Sequence, residues 1–182
     1  MLHSNENVKV LVLDTEVYSN TGGQASKSTK KGAVAEFANF GKKTIKKDLF
    51  KIASCIPNCY VASISLGANM MQAIKAFNEA EAHNGPAIII AYSPCIEHGI
   101  KTGMSTSSIE EKLAVECGYT ILMRHDKETI IDSKEPDFSK YESFLDNEVR
   151  FNALKIKDKD LAKELLAVSY THLRAHETSA HL

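Results

Sequence analysis

An oxygen-rich stretch at residues 14–24 is the part of the chain whose residue types and spacing could do chemistry. It reads Asp-Thr-Glu-Val-Tyr-Ser-Asn-Thr-Gly-Gly-Gln, and its double glycine allows the backbone to turn sharply and approach a ligand. Mg²⁺ takes oxygen ligands in near-octahedral geometry and commonly bridges to phosphates. The Thr15 hydroxyl and the Val17 carbonyl could lie on the same side of such a turn. On spacing alone, an ordinary surface loop is the more frequent outcome.

Cysteine thiols are the second group with possible chemistry. The chain has four, none in a C-x-x-C pair: Cys55, Cys59, Cys95 and Cys117. They are too few for a secreted disulfide scaffold, so each is predicted to be a small buried apolar group. On composition alone this includes Cys95. Glu97 and His98, which follow it, are interpreted as a hydrogen-bonding pair of the loop.

Four apolar segments are predicted to be the strands that carry these loops: residues 8–13, 60–64, 87–92 and 119–123. The first is almost continuously apolar, which is typical of a strand covered on both faces. The oxygen-rich stretch follows this first strand, and Cys95 follows the third. Both therefore lie where a parallel sheet binds its ligands, at the carboxyl ends of the strands.

Three amphipathic helices are predicted between these strands. Apolar residues repeat at helical spacing within residues 46–56, and again at Met70, Ala73, Ile74 and Phe77, where Asn69 can cap the helix. A third helix is predicted to end at Gly118. It is expected to begin with capping boxes, in which Ser107 pairs with Glu110 and Ser108 with Glu111. The alternation of strands and helices predicts an α/β fold, a mostly parallel sheet with helices on both faces.

The chain changes texture after residue 131. Residues 132–167 are charged and are predicted to form a helical arm, with helices near 138–146 and 158–167. Such an arm could wrap a neighbouring domain or subunit, and a solvated surface extension is an equal alternative. The last segment, residues 168–182, contains His172, His176 and His181. It is interpreted as a non-native tail from translated adapter DNA rather than as a metal site.

The overall charge gives the chain no field to attract nucleic acid or a membrane surface. Lysine and arginine number 22, and aspartate and glutamate number 23. The apolar runs are far shorter than the ~20 residues that cross a bilayer, and no signal-peptide pattern opens the sequence. We therefore expect a cytoplasmic protein that binds small molecules.

The whole of residues 13–24 resembles the thiamine-diphosphate loop of pyruvate:ferredoxin (flavodoxin) oxidoreductases. That family's loop also reads Leu-Asp-Thr-Glu-Val-Tyr-Ser-Asn-Thr-Gly-Gly-Gln. The similarity continues through the segments 26–27, 32–35, 46–49, 60–63, 66–70, 91–96 and 132–136, so that it covers residues 7–167. Such a long ordered match is specific. It implies that residues 1–131 are part of a thiamine-diphosphate-binding domain.

The resemblance implies roles for particular residues. The Thr15 side chain and the Val17 carbonyl would bind Mg²⁺, and Asn20 would face the thiazolium and the 2-oxoacid as the catalytic amide. Cys95 would supply one thiolate to a 4Fe–4S cluster, while the other three cysteines keep their predicted place in the core. The residues implied to line the cofactor are Thr15, Glu16, Val17, Tyr18, Ser19 and Asn20.

The implied reaction is the oxidative decarboxylation of pyruvate, with coenzyme A as co-substrate. Electrons would leave through 4Fe–4S clusters to ferredoxin or flavodoxin, in an enzyme that is a homodimer when complete. The family's Gly-Asp-Gly magnesium element, its activating glutamate and its substrate-binding arginine are absent from this sequence. The chain is therefore interpreted as a fragment that is inactive without the remaining domains. Two alternatives stay open: a β subunit of a multi-subunit 2-oxoacid:ferredoxin oxidoreductase, and a silent truncated product.

Overall fold

A five-stranded sheet forms the centre of the molecule. The computed structural model describes residues 2–3 and 6–167, so the predicted tail lies outside the described residues. The strand order is β1-β5-β4-β6-β7, and β2 and β3 pair separately as a small antiparallel hairpin. The strands are β1 (Lys9–Asp14), β2 (Val17–Tyr18), β3 (Gln24–Ala25), β4 (Tyr60–Ile64), β5 (Ala87–Tyr92), β6 (Met123–His125) and β7 (Thr129–Ile131).

The three strands nearest the oxygen-rich loop are parallel. β5 lies between β1 and β4, with Asp14 paired to Tyr92 and Ile64 paired to Ala91. Their carboxyl ends therefore meet at one edge of the sheet. β6 and β7 complete the sheet as an antiparallel hairpin. The predicted α/β fold with a mostly parallel sheet is confirmed.

Helices cover both faces of the parallel strands. On one face, Tyr60, Ala62 and Ile64 of β4 pack against α2 (Met70–Ala82). On the other face, Val61 packs with Phe50 of α1 (Leu49–Ser54). Alternate residues of β4 thus enter two separate apolar clusters, as period-2 side-chain geometry requires.

Two strand predictions need correction. β1 is an edge strand of the described sheet and is not covered on both faces, because Leu11 and Leu13 are 50% and 61% exposed. Residues 119–122 are not a strand, and β6 begins only at Met123. Tyr119 is instead buried among aromatic rings, with its centroid 4.7 Å from that of Phe144. An apolar run does not by itself distinguish a strand from such a core segment.

The predicted helix cap at Asn69 is confirmed, because its side chain accepts a hydrogen bond from the Gln72 amide. The predicted buried face of α2 is wrong except at Ala73. Its small residues Ala73, Ala76 and Ala80 are buried, whereas Met70, Ile74 and Phe77 are exposed. The small alanine side chains allow α2 to pack close to the sheet, and the larger apolar side chains of α2 lie outside this contact.

The predicted capping boxes do not form at α3 (Ser107–Glu116), whose first residues make no side-chain cap. Both glutamates face other elements. Glu111 accepts hydrogen bonds from Ser65 and the Gly67 amide, and Glu110 accepts one from Asn147. Tertiary partners therefore replace the local ones that the sequence pattern suggested.

The segment after residue 131 packs against the sheet domain through apolar side chains. It contains α4 (Tyr141–Asn147), α5 (Val149–Lys157) and a helical stretch at 159–167, α6. Phe144 and Phe151 join a buried cluster with Tyr92 and Tyr119. The start of α5 is thereby brought next to the carboxyl ends of the strands.

Candidate functional site

The oxygen-rich loop leaves β1 at the carboxyl edge of the sheet. The Ser93 amide, just past β5, donates to the Asp14 carbonyl at 3.1 Å. The loop then forms the β2–β3 hairpin, whose turn contains Gly22 and Gly23 with φ of 101° and 82°. Only glycine adopts these values at low cost. The double glycine thus closes the loop by the sharp turn that the sequence predicted.

The two oxygens predicted to bind Mg²⁺ lie on the same side of the loop. The Thr15 hydroxyl donates to the Val17 carbonyl oxygen at 3.0 Å. Ligands at 2.0–2.1 Å in a regular octahedron have adjacent oxygens about 3 Å apart. The spacing of these two atoms therefore fits neighbouring positions around one Mg²⁺ ion.

Glu16, between these two residues, has an unusual backbone. Its φ is 60°, a value uncommon for a residue with a side chain. Its carbonyl accepts hydrogen bonds from the Thr29 hydroxyl and, at 3.2 Å, from the Ser26 hydroxyl. These bonds hold the turn that places the Thr15 and Val17 oxygens together.

The Glu16 carboxylate is buried and has three donors. Lys46 Nζ lies 2.7 Å from Oε1, while the Tyr119 hydroxyl and Arg150 Nη2 lie 2.6 and 2.8 Å from Oε2. Lys46 also pairs with Asp14 at 2.5 Å. Burial acts to raise the pKa of Glu16, but Lys46 and Arg150 outweigh it and hold that pKa far below its ordinary value. The carboxylate is charged throughout the physiological range.

Arg150 connects Glu16 to a second buried carboxylate. Its Nε donates to Glu148 Oε2 at 2.6 Å, and its Nη2 also donates to the Tyr119 hydroxyl at 2.9 Å. Glu148 Oε1 lies 3.6 Å from His98 Nδ1. The side chains of Glu16, His98, Glu148 and Arg150 are all at most 1% exposed. A row of alternating charges therefore crosses the interior behind the loop.

His98 joins this row to the backbone of the loop. Its Nε2 donates to the Thr15 carbonyl at 2.8 Å. Burial and Arg150 lower the pKa of His98, but Cys95 and Glu148 outweigh them and raise it to about 9. The imidazole is therefore a cation near neutral pH, able to donate from both nitrogens.

Cys95 lies at the start of the short helical turn Ile96–His98 and is half-buried. Burial raises the pKa of its thiol, but the neighbouring His98 side chain outweighs this and lowers it. The turn touches the oxygen-rich loop, since a Cβ built on Gly23 would lie 2.6 Å from Glu97 Oε2. A thiol with a lowered pKa thus lies in a turn that contacts the loop.

The other cysteines differ in burial. Cys59 and Cys117 are buried, which confirms their predicted place in the core, whereas Cys55 is exposed at the end of α1 and that prediction is wrong. All four thiols are free. Among the described residues, no three His, Cys, Asp or Glu side chains converge as metal ligands.

A cavity of about 530 Å³ opens beside the loop. Asp14 to Tyr18 line one wall, and five lysines contribute to the remainder: Lys27, Lys30, Lys31, Lys46 and Lys47. Tyr18 and Asn20, both predicted to face the cofactor, are exposed, and Ser19 is half-buried. Burial and Lys46 lower the pKa of Lys30 to about 8, despite the opposing effect of Glu16.

Sequence reasoning missed most of the residues that hold the loop. It gave no role to Tyr119, Glu148 or Arg150, and it interpreted His98 as a partner of Glu97 rather than of Thr15. One signal was available, since Glu148 and Arg150 flank Val149 in a segment that ends in apolar residues. Charged residues at such positions are rarely buried unless they are paired.

The fold and the loop together define an α/β segment of the kind that binds ligands at the carboxyl ends of parallel strands. No family model matches the chain. It is 45% identical over 96% of its length to the pyruvate-flavodoxin oxidoreductase of Klebsiella pneumoniae, and 46% identical over 96% to the pyruvate:ferredoxin oxidoreductase of Moorella thermoacetica. A putative pyruvate-flavodoxin oxidoreductase of Synechocystis is 52% identical over 75% of this chain, and the matched segment is 11% of the Synechocystis protein.

The chain is thus homologous to one segment of the pyruvate:ferredoxin (flavodoxin) oxidoreductases, which confirms the resemblance. It spans 16% of the Klebsiella protein and 15% of the Moorella protein. A solved 2-oxoglutarate:ferredoxin oxidoreductase of Magnetococcus marinus, with 2-oxoglutarate, coenzyme A and succinyl-CoA bound, aligns with a TM-score of 0.48 at 21% identity. The alignment covers 53% of this chain and 33% of that one. None of the described helices is both long and apolar enough to cross a membrane.

Proposed function

We propose that the chain is the part of a pyruvate:ferredoxin (flavodoxin) oxidoreductase that forms one side of the thiamine-diphosphate site. The observation that carries this proposal is the 3.0 Å separation of the Thr15 hydroxyl and the Val17 carbonyl. It matches adjacent Mg²⁺ ligands within a loop identical to that of the family. Thiamine diphosphate, when bound, supplies the electron sink for decarboxylation of a 2-oxoacid.

The residues of this chain would bind and orient. Thr15 and Val17 would hold the metal, and Glu16 to Asn20 would line the cofactor. Asn20 is exposed on the loop, where its amide would face the 2-oxoacid. A fixed amide donor stabilises negative charge that develops on a carbonyl oxygen. The remaining Mg²⁺ ligands and the proton-transfer partner would come from the other domains.

Cys95 would supply one thiolate to a 4Fe–4S cluster. Its lowered pKa favours the form that binds iron, and its turn contacts the loop at Gly23. A cluster held there would lie close to the cofactor and could accept electrons one at a time. Pyruvate and coenzyme A would thereby give acetyl-CoA and CO₂, with the electrons passed to ferredoxin or flavodoxin.

Residues 1–131 would form part of the cofactor domain, and residues 132–167 its helical arm. We expect the complete enzyme to be a cytoplasmic homodimer. The chain by itself would be inactive, whether it derives from a single-chain enzyme or from a β subunit.

A chimaeric enzyme tests the proposal. Residues 7–167 would replace the matching segment of the Moorella relative, and pyruvate-dependent reduction of ferredoxin would be measured with coenzyme A present. We expect activity in the chimaera and its loss in Thr15→Ala, while Thr106→Ala, at the half-buried residue that precedes α3, retains it. An inactive chimaera that still carries its clusters, or an active Thr15→Ala variant, would refute the proposal.

A further inference from the structure

The start of α5 makes direct contacts with both loops of the proposed site. These loops are the oxygen-rich loop after β1 and the cysteine turn, residues 95–99. Some seventy residues separate the two loops in sequence. Glu148 and Arg150, which pair with each other, each contact one of them. Both partners lie in the segment that sequence analysis interpreted as an arm.

Arg150 reaches the oxygen-rich loop. Its Nη2 lies 2.8 Å from the carboxylate of Glu16, the residue that separates the two proposed metal ligands in sequence. Because the φ of Glu16 is positive, the backbone needs outside contacts to keep this turn. A buried ion pair that also includes Lys46 provides one of them.

Glu148 reaches the cysteine turn. It accepts from Arg150 at 2.6 Å and lies 3.6 Å from His98 Nδ1. His98 in turn donates to the Thr15 carbonyl at 2.8 Å. Glu148 and Arg150 therefore both contact residues 15–17, Glu148 through His98 and Arg150 through Glu16.

Backbone contacts fix the start of α5 against the turn. The Val149 amide donates to the Gly99 carbonyl, and the Lys101 amide donates to the Asn147 carbonyl, both at 2.9 Å. A Cβ built on Gly99 would lie only 2.7 Å from Val149 Cβ. The Arg150 carbonyl also accepts from the Val34 amide at 2.9 Å. The two charged side chains thus start from a fixed base.

We propose that Glu148 and Arg150 are positioning residues that hold the oxygen-rich loop and the cysteine turn in a fixed mutual arrangement. In the complete enzyme this would set the separation of the cofactor and the cluster, a consequence that rests on the proposed function. The mechanical link between the two loops does not rest on it.

An arginine suits this place better than a lysine. One guanidinium serves two carboxylates at once, through Nε to Glu148 and Nη2 to Glu16. A lysine ammonium is a point charge without this planar fork. We therefore expect Arg150→Lys to retain the fold but to weaken the link.

Hydrogen–deuterium exchange of the 182-residue chain tests the link without any cofactor. The reporters are hydrogen-bonded amides of Gly23 in the loop and of His98 and Gly99 in the turn. Amides of β4 and β5 serve as the internal reference. We expect Arg150→Lys and Glu148→Gln each to accelerate exchange at both loops by about tenfold, the factor for ~1.4 kcal/mol, and to leave the reference unchanged.

Lys155→Met is the matched control, because Lys155 also lies on α5 but pairs at the surface with Asp146 and Glu142. It should alter neither loop. Acceleration of only one loop by each variant, or of neither, would overturn the proposal. If Arg150→Lys does not fold, the near-isosteric Glu148→Gln decides alone. Coupled loops together with an inactive chimaera would refute the proposed function but not the link.

Discussion

The Thr15 hydroxyl and the Val17 carbonyl oxygen lie 3.0 Å apart across the turned backbone of Glu16. Their hydrogen bond keeps both oxygens on one side of the loop. Under the proposed function, a loop arranged in this way would exchange this bond for two bonds to Mg²⁺. Such prior ordering lowers the entropy cost of association.

Two ligands are too few for strong binding, because Mg²⁺ gives up its water reluctantly. We predict that the 182-residue chain binds Mg²⁺–thiamine diphosphate more weakly than about 1 µM, equivalent to ~−8 kcal/mol. Isothermal titration calorimetry measures this directly. Micromolar or tighter binding that disappears in Thr15→Ala would contradict the interpretation that the chain holds only one side of the site.

Replacement of Glu16 by glutamine should destabilise the fold strongly. The change leaves Lys46 and Arg150 buried with less negative charge nearby, and removal of one partner from a buried pair costs about 3–5 kcal/mol. The free energy of unfolding from urea titration would measure the loss. Glu36→Gln is the control, since this carboxylate is exposed and should change stability by under about 0.5 kcal/mol. Equal effects of the two variants would argue against the buried network.

Phe144→Ala tests whether the C-terminal helices share the core of the sheet. Phe144 is 1% exposed and packs on Tyr119, so its truncation should cost about 3–5 kcal/mol. Phe37 is 88% exposed, and Phe37→Ala should be nearly neutral. Urea unfolding followed by circular dichroism provides the comparison. A small effect at Phe144 would mean that these helices add little to the stability of the sheet.

Asp132 gives a pH-dependent prediction. Burial raises the pKa of this carboxyl, but Arg124, which pairs with it at 2.7 and 2.8 Å, and Gln72 outweigh burial and lower it. Because the pKa is lower in the folded state, the charged carboxyl stabilises the fold at pH values above its ordinary pKa of 3.8. This stabilisation is lost as the pH falls through the folded-state pKa. Asp132→Asn should therefore reduce stability at neutral pH, and the gap to the parent chain should narrow in acid.

Urea midpoints at about pH 7 and about pH 3 test this narrowing. Asp160→Asn serves as a matched control. Asp160 is exposed on α6, and its loss should leave the folded core unchanged. A gap that stays constant or widens in acid would show that the Arg124 pair does not act as described.

The sequence was informative wherever the determinant was local. The cap at Asn69, the sharp turn at Gly22 and Gly23 and the parallel strands all follow from neighbouring residues and their periodicity. The family motif also predicted that the Thr15 and Val17 oxygens would share one side of the loop. Their roles towards Mg²⁺, like those of Asn20 and Cys95, stay predictions.

The remainder depends on partners distant in the chain. Glu16 and Arg150 meet although more than a hundred residues separate them, and no local pattern shows that these two residues pair. The glutamates after Ser107 and Ser108 look like local caps but bind Asn147 and the Ser65–Gly67 segment. Composition likewise could not show that β1 lies at the edge of the described sheet. Such choices are made by tertiary packing, which overrides local preference.

The edge position of β1 has a consequence for how the chain behaves at high concentration. One side of this strand has no neighbouring strand among the described residues, and Leu11 and Leu13 are exposed on its face. Unpaired edges with apolar side chains recruit further strands, and natural proteins usually protect them. We expect dilute preparations of the chain to stay dispersed and concentrated ones to polymerise. Lysine at Leu13 would be a practical solubilising change.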